Sequence, residues 1–144
     1  AAVLDVAVGV CGYRADLCRT FVVGGRPSDA QADAHREVLR TLAAVEAAAA
    51  PGARCRALCG IAAALDGYRG WSFPHHLGHG VGLDAHEAPR LNPGWDDALA
   101  VGDVFTAEPG LYAAELRAGV RVERLYRVTA AGVERLDSFP DGLS

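Results

Sequence analysis

The amino-acid sequence predicts an α+β fold in which helices pack on one face of a curved antiparallel sheet. Strand-like segments stand at its start, two helical segments follow in succession, and short strand-like segments make up its end. Strands and helices that are grouped in this way are typical of α+β folds. With 144 residues, of which 51% are apolar, the chain is long enough for one domain with a buried core.

A β-hairpin is the first predicted element. Residues 2–8 and 17–23 are rich in β-branched and other apolar side chains, as strands commonly are. Gly9 and Gly12 lie between the two segments and indicate a turn or a bulge. The two segments are therefore expected to pair as antiparallel neighbours.

Two helices are predicted next. Ser28 begins the first, because Gln31 three positions later completes a capping box, and the alanine-rich segment that follows ends at Pro51. Residues 54–66 form the second, because their apolar side chains recur at helical spacing until Gly67. Both helices are expected to pack on the same face of the sheet.

Four short strands complete the prediction, at residues 104–108, 119–123, 125–129 and 133–136. The segment that precedes them, residues 74–89, contains four histidines and three glycines and is bounded by prolines. Glycine and proline at that density break helices. The histidines must therefore be carried on extended or turning backbone, where we expect a functional site.

Composition excludes several classes of function. The net charge of −4 and the scattered arginines argue against a nucleic-acid partner. No apolar run approaches the roughly 20 residues of a membrane-spanning helix, so no membrane association is expected. The four cysteines are too few for a disulfide scaffold, and the N-terminus has no signal-peptide pattern. Reduced thiols in a cytoplasmic protein are the expectation.

Residues of metal-ligand type stand in apolar or glycine-rich surroundings at five positions: Asp5, Asp16, His79, Glu108 and Glu123. Taken alone, Asp5 also fits a hydrogen-bonded structural acid, and Glu123 beside Arg121 also fits a solvent-facing, salt-bridged strand. Together, four carboxylates and one imidazole form a set of ligands for divalent cations. Carboxylates that bridge two cations and leave positions open for water suit metal-assisted hydrolysis. A two-metal hydrolase is therefore the leading interpretation.

Six motifs follow one another between residues 3 and 136. They are Asp5 with Gly12-Tyr13 and Asp16, Arg19-Thr20-Phe21, His75-x-x-x-His79 with Gly78 and Gly80, His86-Glu87-x-Pro89, Glu108-Pro109-Gly110-Leu111-Tyr112, and Gly119-x-Arg121-x-Glu123. In these motifs the sequence resembles the pita-bread metallopeptidases, which include methionine aminopeptidase, aminopeptidase P and proline dipeptidase. The resemblance implies the pita-bread fold with an incomplete first pseudo-repeat, as a single partial catalytic domain over residues 1–144.

The resemblance also implies a role for each candidate ligand. Asp5 is similar to the chelating ligand of one metal, Asp16 and Glu123 to the bridges between two metals, and His79 and Glu108 to ligands of the second. In the implied mechanism a hydroxide attacks the peptide carbonyl while Glu108 takes its proton. The implied cofactors are two divalent ions, manganese first, with cobalt, zinc or iron as alternatives.

Four further residues resemble substrate-binding groups of the family. His75 and His86 are similar to its substrate-site histidines, with a structural role for His75 equally open, and Tyr112 is similar to a residue that adds a hydroxyl contact. Arg121 is similar to the proline-specific branch, and its guanidinium either binds a substrate carboxylate or orients Glu123. The implied function is that of an Xaa-Pro aminopeptidase or Xaa-Pro dipeptidase acting on a proline-containing peptide. A lyase on the same scaffold and an inactive metal-binding module remain open as alternatives.

The sequence departs from the family pattern at three positions, with Ala7 in place of glycine, Cys18 in place of threonine and Arg124 in place of Asp or Asn. Arg124 is expected to disturb the groups that orient Glu123, an effect typically of about 10- to 100-fold on metal affinity or activity. Only four residues precede Asp5, which predicts an N-terminally truncated domain. A homodimeric partner or a missing N-terminal domain is expected to cover that strand.

Other polar residues are expected to play no part in the chemistry. The sequence predicts no role for His76 and places His35 on the surface of the first helix. Cys55 and Cys59 are expected to pack in the core.

Overall fold

The computed structural model describes residues 1–143, which form two α-helices and nine strands. The helices are α1 (Asp29–Ala48) and α2 (Cys55–Ala62). The strands are β1 (Ala2–Val10), β2 (Tyr13–Phe21), β3 (Gly78–Gly80), β4 (Glu87–Leu91), β5 (Val104–Ala107), β6 (Gly110–Ala113), β7 (Ala118–Arg121), β8 (Arg124–Thr129) and β9 (Gly132–Arg135). Neither helix has the length and apolar character that crossing a membrane requires.

The predicted hairpin is present, and its turn is tighter than the glycine positions indicated. Strands β1 and β2 pair in one unbroken antiparallel register from Ala2 opposite Phe21 to Val10 opposite Tyr13. Cys11 and Gly12 alone connect them, with φ angles of 53° and 86°. Positive φ at both central residues is the geometry of the type I′ turn, which suits the twist of paired strands. Gly9 therefore belongs to β1 and not to the turn.

Strand β1 pairs with β2 alone among the described residues and is exposed along most of its length. Its large apolar side chains are in contact with solvent: Leu4, Val6, Val8 and Val10. That a partner or a further domain covers this strand stays a prediction.

Helix α1 begins where its capping box predicts. The backbone N–H of Gln31 donates to the Ser28 hydroxyl oxygen at 3.2 Å, and the Ser28 N–H donates to the Gln31 side chain at 2.9 Å. These bonds satisfy two of the donors that a helix N-terminus leaves free. Val38, Leu42 and Val45 lie fully buried on one face and anchor the helix against the sheets.

Helix α2 is shorter than predicted. It ends at Ala62, and a 3-10 turn over Ala63–Leu65 continues the chain. Tightening of a last helical turn is common, because it satisfies terminal carbonyl groups with nearer donors. Leu58 and Leu65 keep the predicted apolar face buried, as does Cys59.

The main sheet has five antiparallel strands in the order β4-β3-β5-β8-β9, and β6 pairs with β7 in a separate ribbon. Three strands were not predicted, namely β3, β4 and β6, because they are only three to five residues long and each contains glycine or proline. The core between helices and sheets contains large apolar side chains: Leu42, Leu58, Leu77, Leu91, Phe105, Leu111, Val120, Val122 and Tyr126. The α+β arrangement is as the sequence predicts.

Candidate metal centre

Three of the five predicted ligands meet in one place. One ligand atom each from Asp16, His79 and Glu123 lies within 4.8 Å of the other two. Asp16 comes from β2, His79 from β3, and Glu123 from the link between β7 and β8. The Glu123 N–H donates to the Cys18 carbonyl at 3.0 Å, which ties this link to β2. Tertiary contacts between three elements therefore create the cluster.

His79 is held in one ring orientation. Its Nδ1 donates to the Gly80 carbonyl at 3.0 Å, which leaves the lone pair on Nε2. The glycines on either side allow the backbone to pass close to its neighbours. A Cβ on Gly78 would stand 2.0 Å from the Thr106 carbonyl oxygen, and one on Gly80 would stand 2.1 Å from that of Ala88. The glycines of this segment thus let β3 fit between β4 and β5.

Oε2 of Glu123 is buried and lacks a hydrogen-bond partner among residues 1–143, and the buried Oε1 of Glu108 has only imidazoles near it. Burial, and then the nearby charges of Glu108, Asp16 and Asp5, raise the pKa of Glu123 to about 9. Burial and the Asp5 carboxylate likewise raise the pKa of Asp16. Crowded buried carboxylates are costly unless cations compensate them. These residues fit a site for divalent ions.

Glu108 lies between two imidazoles. Its Oε1 is 3.3 Å from Nε2 of His76 and 3.6 Å from Nε2 of His79. Burial alone would raise the pKa of Glu108, but His76, with His79 and Arg121 nearby, outweighs burial and lowers that pKa. His76, to which the sequence assigns no role, thus borders a proposed ligand. Sequence periodicity could not reveal this contact.

Asp5 stands at the solvent side of the cluster. The Arg121 guanidinium donates a hydrogen bond to its carboxylate. One ligand atom each from Asp5, Cys18 and Glu123 also lies within 4.8 Å of the other two. Glu123 thus belongs to two groups of ligands, one with Asp5 and one with Asp16 and His79. Cys18 was not among the predicted site residues.

The residues predicted to bind substrate surround this cluster. The Tyr112 hydroxyl is 2.9 Å from Nε2 of His75, whose Nδ1 donates to the His76 carbonyl at 2.8 Å. Burial lowers the pKa of His75 and favours its neutral ring, which accepts the tyrosine hydrogen bond. His86 stacks on His79 with ring centroids 3.7 Å apart. A cleft of ≈ 230 Å³ opens beside them and is lined by His76, His79, His86, Glu87, Arg90 and Trp95, among others.

The Arg124 guanidinium has its hydrogen-bond partners away from the Glu123 carboxylate. It donates to Glu46 of α1 at 3.0 Å and to Asp141 at 2.8 Å. Adjacent residues in extended backbone point to opposite faces, which separates the two side chains. His35 also contacts this C-terminal segment, with Nε2 2.6 Å from the Asp141 carbonyl, and is partly buried instead of lying free on the helix surface.

Comparisons with known proteins point to one family. The profile of Metallopeptidase family M24 matches residues 1–130. The Xaa-Pro dipeptidase of Pyrococcus furiosus is 38% identical over 136 residues, which cover 93% of this chain and 38% of that protein. The prolidase structure from Pyrococcus horikoshii superimposes with a TM-score of 0.90 at 35% identity, covering 99% of this chain and 41% of that one.

A third relative extends the comparison to a second kind of proline-directed peptidase. The structure of the X-Pro aminopeptidase from Thermotoga maritima gives a TM-score of 0.89 at 32% identity, over 98% of this chain and 40% of that one. The chain thus spans about two fifths of the length of the relatives that it matches.

Proposed function

Because this chain belongs to metallopeptidase family M24 and has its pita-bread fold, we propose that it carries the metal centre of a peptidase that cleaves Xaa-Pro bonds. Its relatives include proteins named as Xaa-Pro dipeptidases and as an X-Pro aminopeptidase. The substrate class is therefore a proline-containing dipeptide or short peptide. Dipeptides are favoured, because several relatives by sequence are named as Xaa-Pro dipeptidases.

One observation supports this proposal most directly, the position of Glu123. Its buried carboxylate takes part in both groups of ligand atoms and has one oxygen without a partner among the described residues. A carboxylate shared by two groups of ligands suits a bridge between two ions. We propose two divalent ions per chain, drawn from manganese, cobalt, zinc and iron. Asp5 would hold one ion, His79 and Glu108 would hold the other, and Asp16 and Glu123 would contribute to both.

The bound ions would supply activation of water and stabilisation of negative charge. The Glu108 carboxylate accepts the proton of the attacking water at its Oε1, since the nearby imidazoles hold its pKa below the ordinary value and keep it ionised. Transfer of that proton to the leaving proline nitrogen completes the cleavage.

Substrate binding is assigned to the polar groups around the cleft. His86 borders the cleft beside His79 and donates to the scissile carbonyl. The Tyr112 hydroxyl, which is hydrogen-bonded to His75, orients the peptide. Arg121 keeps the Asp5 carboxylate in place.

Elemental analysis and peptide hydrolysis test this function together. We expect about two ions per chain, both lost when Asp16 or Glu123 is changed to Ala, because a bridging carboxylate serves both. We also expect cleavage of Xaa-Pro dipeptides and no cleavage of dipeptides with alanine in place of proline. Glu134→Ala is the matched control, since Glu134 pairs with Arg127 on the surface of β9, half exposed.

Three results would contradict the proposal in different ways. A single tightly held ion that survives Glu123→Ala would favour a metal-binding module. No cleavage of any Xaa-Pro substrate by the fully loaded protein would exclude the peptidase activity. Turnover of a proline-free substrate without hydrolysis would favour a lyase on the same scaffold.

A further inference from the structure

Cys18 stands on the side of β2 that faces the candidate metal centre. It follows Asp16 by two positions, and side chains two apart on a strand share a face. In the hairpin register Cys18 lies opposite Asp5. Its side chain is fully buried, at 0% exposure, yet it is not a member of the main apolar cluster. The sulfur is thus placed beside carboxylates instead of hydrocarbon.

Three ligand atoms converge at this place. The Cys18 sulfur and one carboxylate oxygen each of Asp5 and Glu123 all lie within 4.8 Å of one another. Glu123 is 1% exposed, and its Oε2 has no hydrogen-bond partner among residues 1–143. A buried, unpartnered carboxylate oxygen is costly unless a cation compensates it. The unpartnered oxygen of Glu123 therefore indicates a cation at this place, independently of the thiol.

The surroundings of the sulfur favour positive charge. The Arg121 Nε donates a hydrogen bond to the Cys18 Sγ at 3.2 Å, so a lone pair of the sulfur already accepts from a cationic group. The same guanidinium donates to the Asp5 carboxylate. The Arg121 guanidinium therefore contacts both the Cys18 sulfur and the Asp5 carboxylate, the two groups that lie beside the Glu123 carboxylate.

We propose that Cys18 is a sulfur ligand of the ion held by Asp5 and Glu123, which makes this centre selective for thiophilic divalent ions such as Zn²⁺ and Cd²⁺ over Mn²⁺. This inference rests on the metal centre proposed above. Thiolate ligands select zinc and other soft ions, whereas carboxylates suit manganese. On binding, one sulfur–metal bond forms and the thiol proton passes to solvent. The ion preference thus differs from the manganese that the sequence predicts first.

Cobalt(II) is the probe, because it substitutes for zinc and absorbs strongly in the near ultraviolet when sulfur is bound to it. We expect the unaltered protein, stripped with a chelator and reloaded with Co²⁺, to show an intense sulfur-to-cobalt charge-transfer band. Cys18→Ser and Cys18→Thr should remove the band while Co²⁺ remains bound. Cys59→Ser, which changes another buried cysteine in α2, should keep it.

Affinities give a second readout that does not depend on the spectrum. Loss of a group around a metal typically lowers metal affinity about 10- to 100-fold. Cys18→Ser should therefore weaken Cd²⁺ binding at least about 10-fold. Mn²⁺ binding should weaken by less than about 2-fold, because manganese prefers oxygen ligands. Co²⁺ bound without the band in the unaltered protein would overturn the role of Cys18 and leave the metal centre standing. Failure to bind either Co²⁺ or Mn²⁺ would overturn the centre and this inference with it.

Discussion

The Arg121 guanidinium donates a hydrogen bond to the Asp5 carboxylate, joining β7 to β1 across 116 positions of sequence. The same side chain donates to the Cys18 sulfur on β2 at 3.2 Å. Arg121 is largely buried, whereas the Asp5 side chain is 52% exposed. A planar guanidinium with several fixed donors can hold both groups at once, which a lysine ammonium does less well. The Arg121 side chain thus orients the Asp5 carboxylate toward the candidate metal ligands.

Replacing Arg121 by Lys should therefore reduce catalysis more than it reduces folding. We expect kcat/KM on an Xaa-Pro dipeptide to fall by about 10- to 100-fold, because the groups that orient metal ligands typically contribute that much. Steady-state kinetics and the thermal midpoint should be measured on the same samples. Arg127→Lys is the matched control, since Arg127 pairs with Glu134 at the surface. Equal losses of activity in both variants would refute the orienting role.

The Glu123 carboxyl should make the metal-free protein less stable as the pH rises. Its pKa is raised from the ordinary 4.5 to about 9 by burial and neighbouring carboxylates. The folded state therefore keeps a proton that the unfolded chain loses. The stabilisation is complete below pH 4.5 and is lost as the pH rises toward 9.

Urea unfolding of chelator-treated protein at several pH values measures this loss. The contribution of one such group falls by up to about 1.4 kcal/mol per pH unit. Glu123→Gln keeps the shape of the side chain but cannot ionise, so its stability should fall less steeply with pH. Parallel pH profiles for the two proteins would show that Glu123 ionises normally.

Replacing Gly78 and Gly60 by alanine should change the stability of the protein in opposite directions. Gly78→Ala would place a Cβ 2.0 Å from the Thr106 carbonyl oxygen on β5, and backbone cannot move aside cheaply. Overpacking of this kind typically costs about 1–3 kcal/mol, and it should also weaken metal binding by displacing His79. Gly60 in α2 has no atom within 4 Å of an added Cβ. Gly60→Ala should stabilise the protein by about 0.5–1 kcal/mol, as alanine usually does within a helix.

Chemical denaturation of both variants and metal titration of Gly78→Ala check these effects. A neutral or stabilising Gly78→Ala would mean that β3 and β5 can separate without cost. Unchanged metal affinity in that variant would mean that His79 keeps its position independently of the strand.

Arg19 should contribute far more to stability than a surface arginine. It is 3% exposed, and it donates to the Asp137 carboxylate at 2.9 Å and to the Pro140 carbonyl at 2.9 Å. Without Arg19, Asp137 keeps its ion pair with Arg135, but the buried carbonyl groups that accept from Arg19 lose their donor, and a buried polar group without a partner costs about 1–3 kcal/mol. Arg19→Ala should therefore lower the free energy of unfolding by about that amount.

The matched control for Arg19 is Arg40→Ala. Arg40 pairs with Glu37 on the outer face of α1, and its side chain is 69% exposed. Exposed pairs of this kind contribute little to stability, because solvent and salt screen the charges. Urea denaturation of both variants tests the contrast, which fails if the two lose similar stability.

Local patterns predicted much of the fold. The capping box of Ser28 and Gln31 placed the start of α1, because those hydrogen bonds close within one turn of the chain. The hairpin of β1 and β2 was also predicted, since its strands are neighbours in sequence. Strand β3 was not predicted, because its three residues owe their extended pairing to β4 on one side and to the more distant β5 on the other.

The candidate site likewise contains residues that the sequence predicted and contacts that only the structure revealed. Motif order alone named Asp5, Asp16, His79, Glu108 and Glu123, and their roles as ligands remain predictions. Only the tertiary structure brought His76 against Glu108 and Cys18 beside Glu123, since those contacts join residues 32 and 105 positions apart. Burial and charge neighbours, which raise the pKa of Glu123, likewise arise only when distant strands pack together. The sequence by itself determined which chemical groups are present, and the packing decided which of them share one environment.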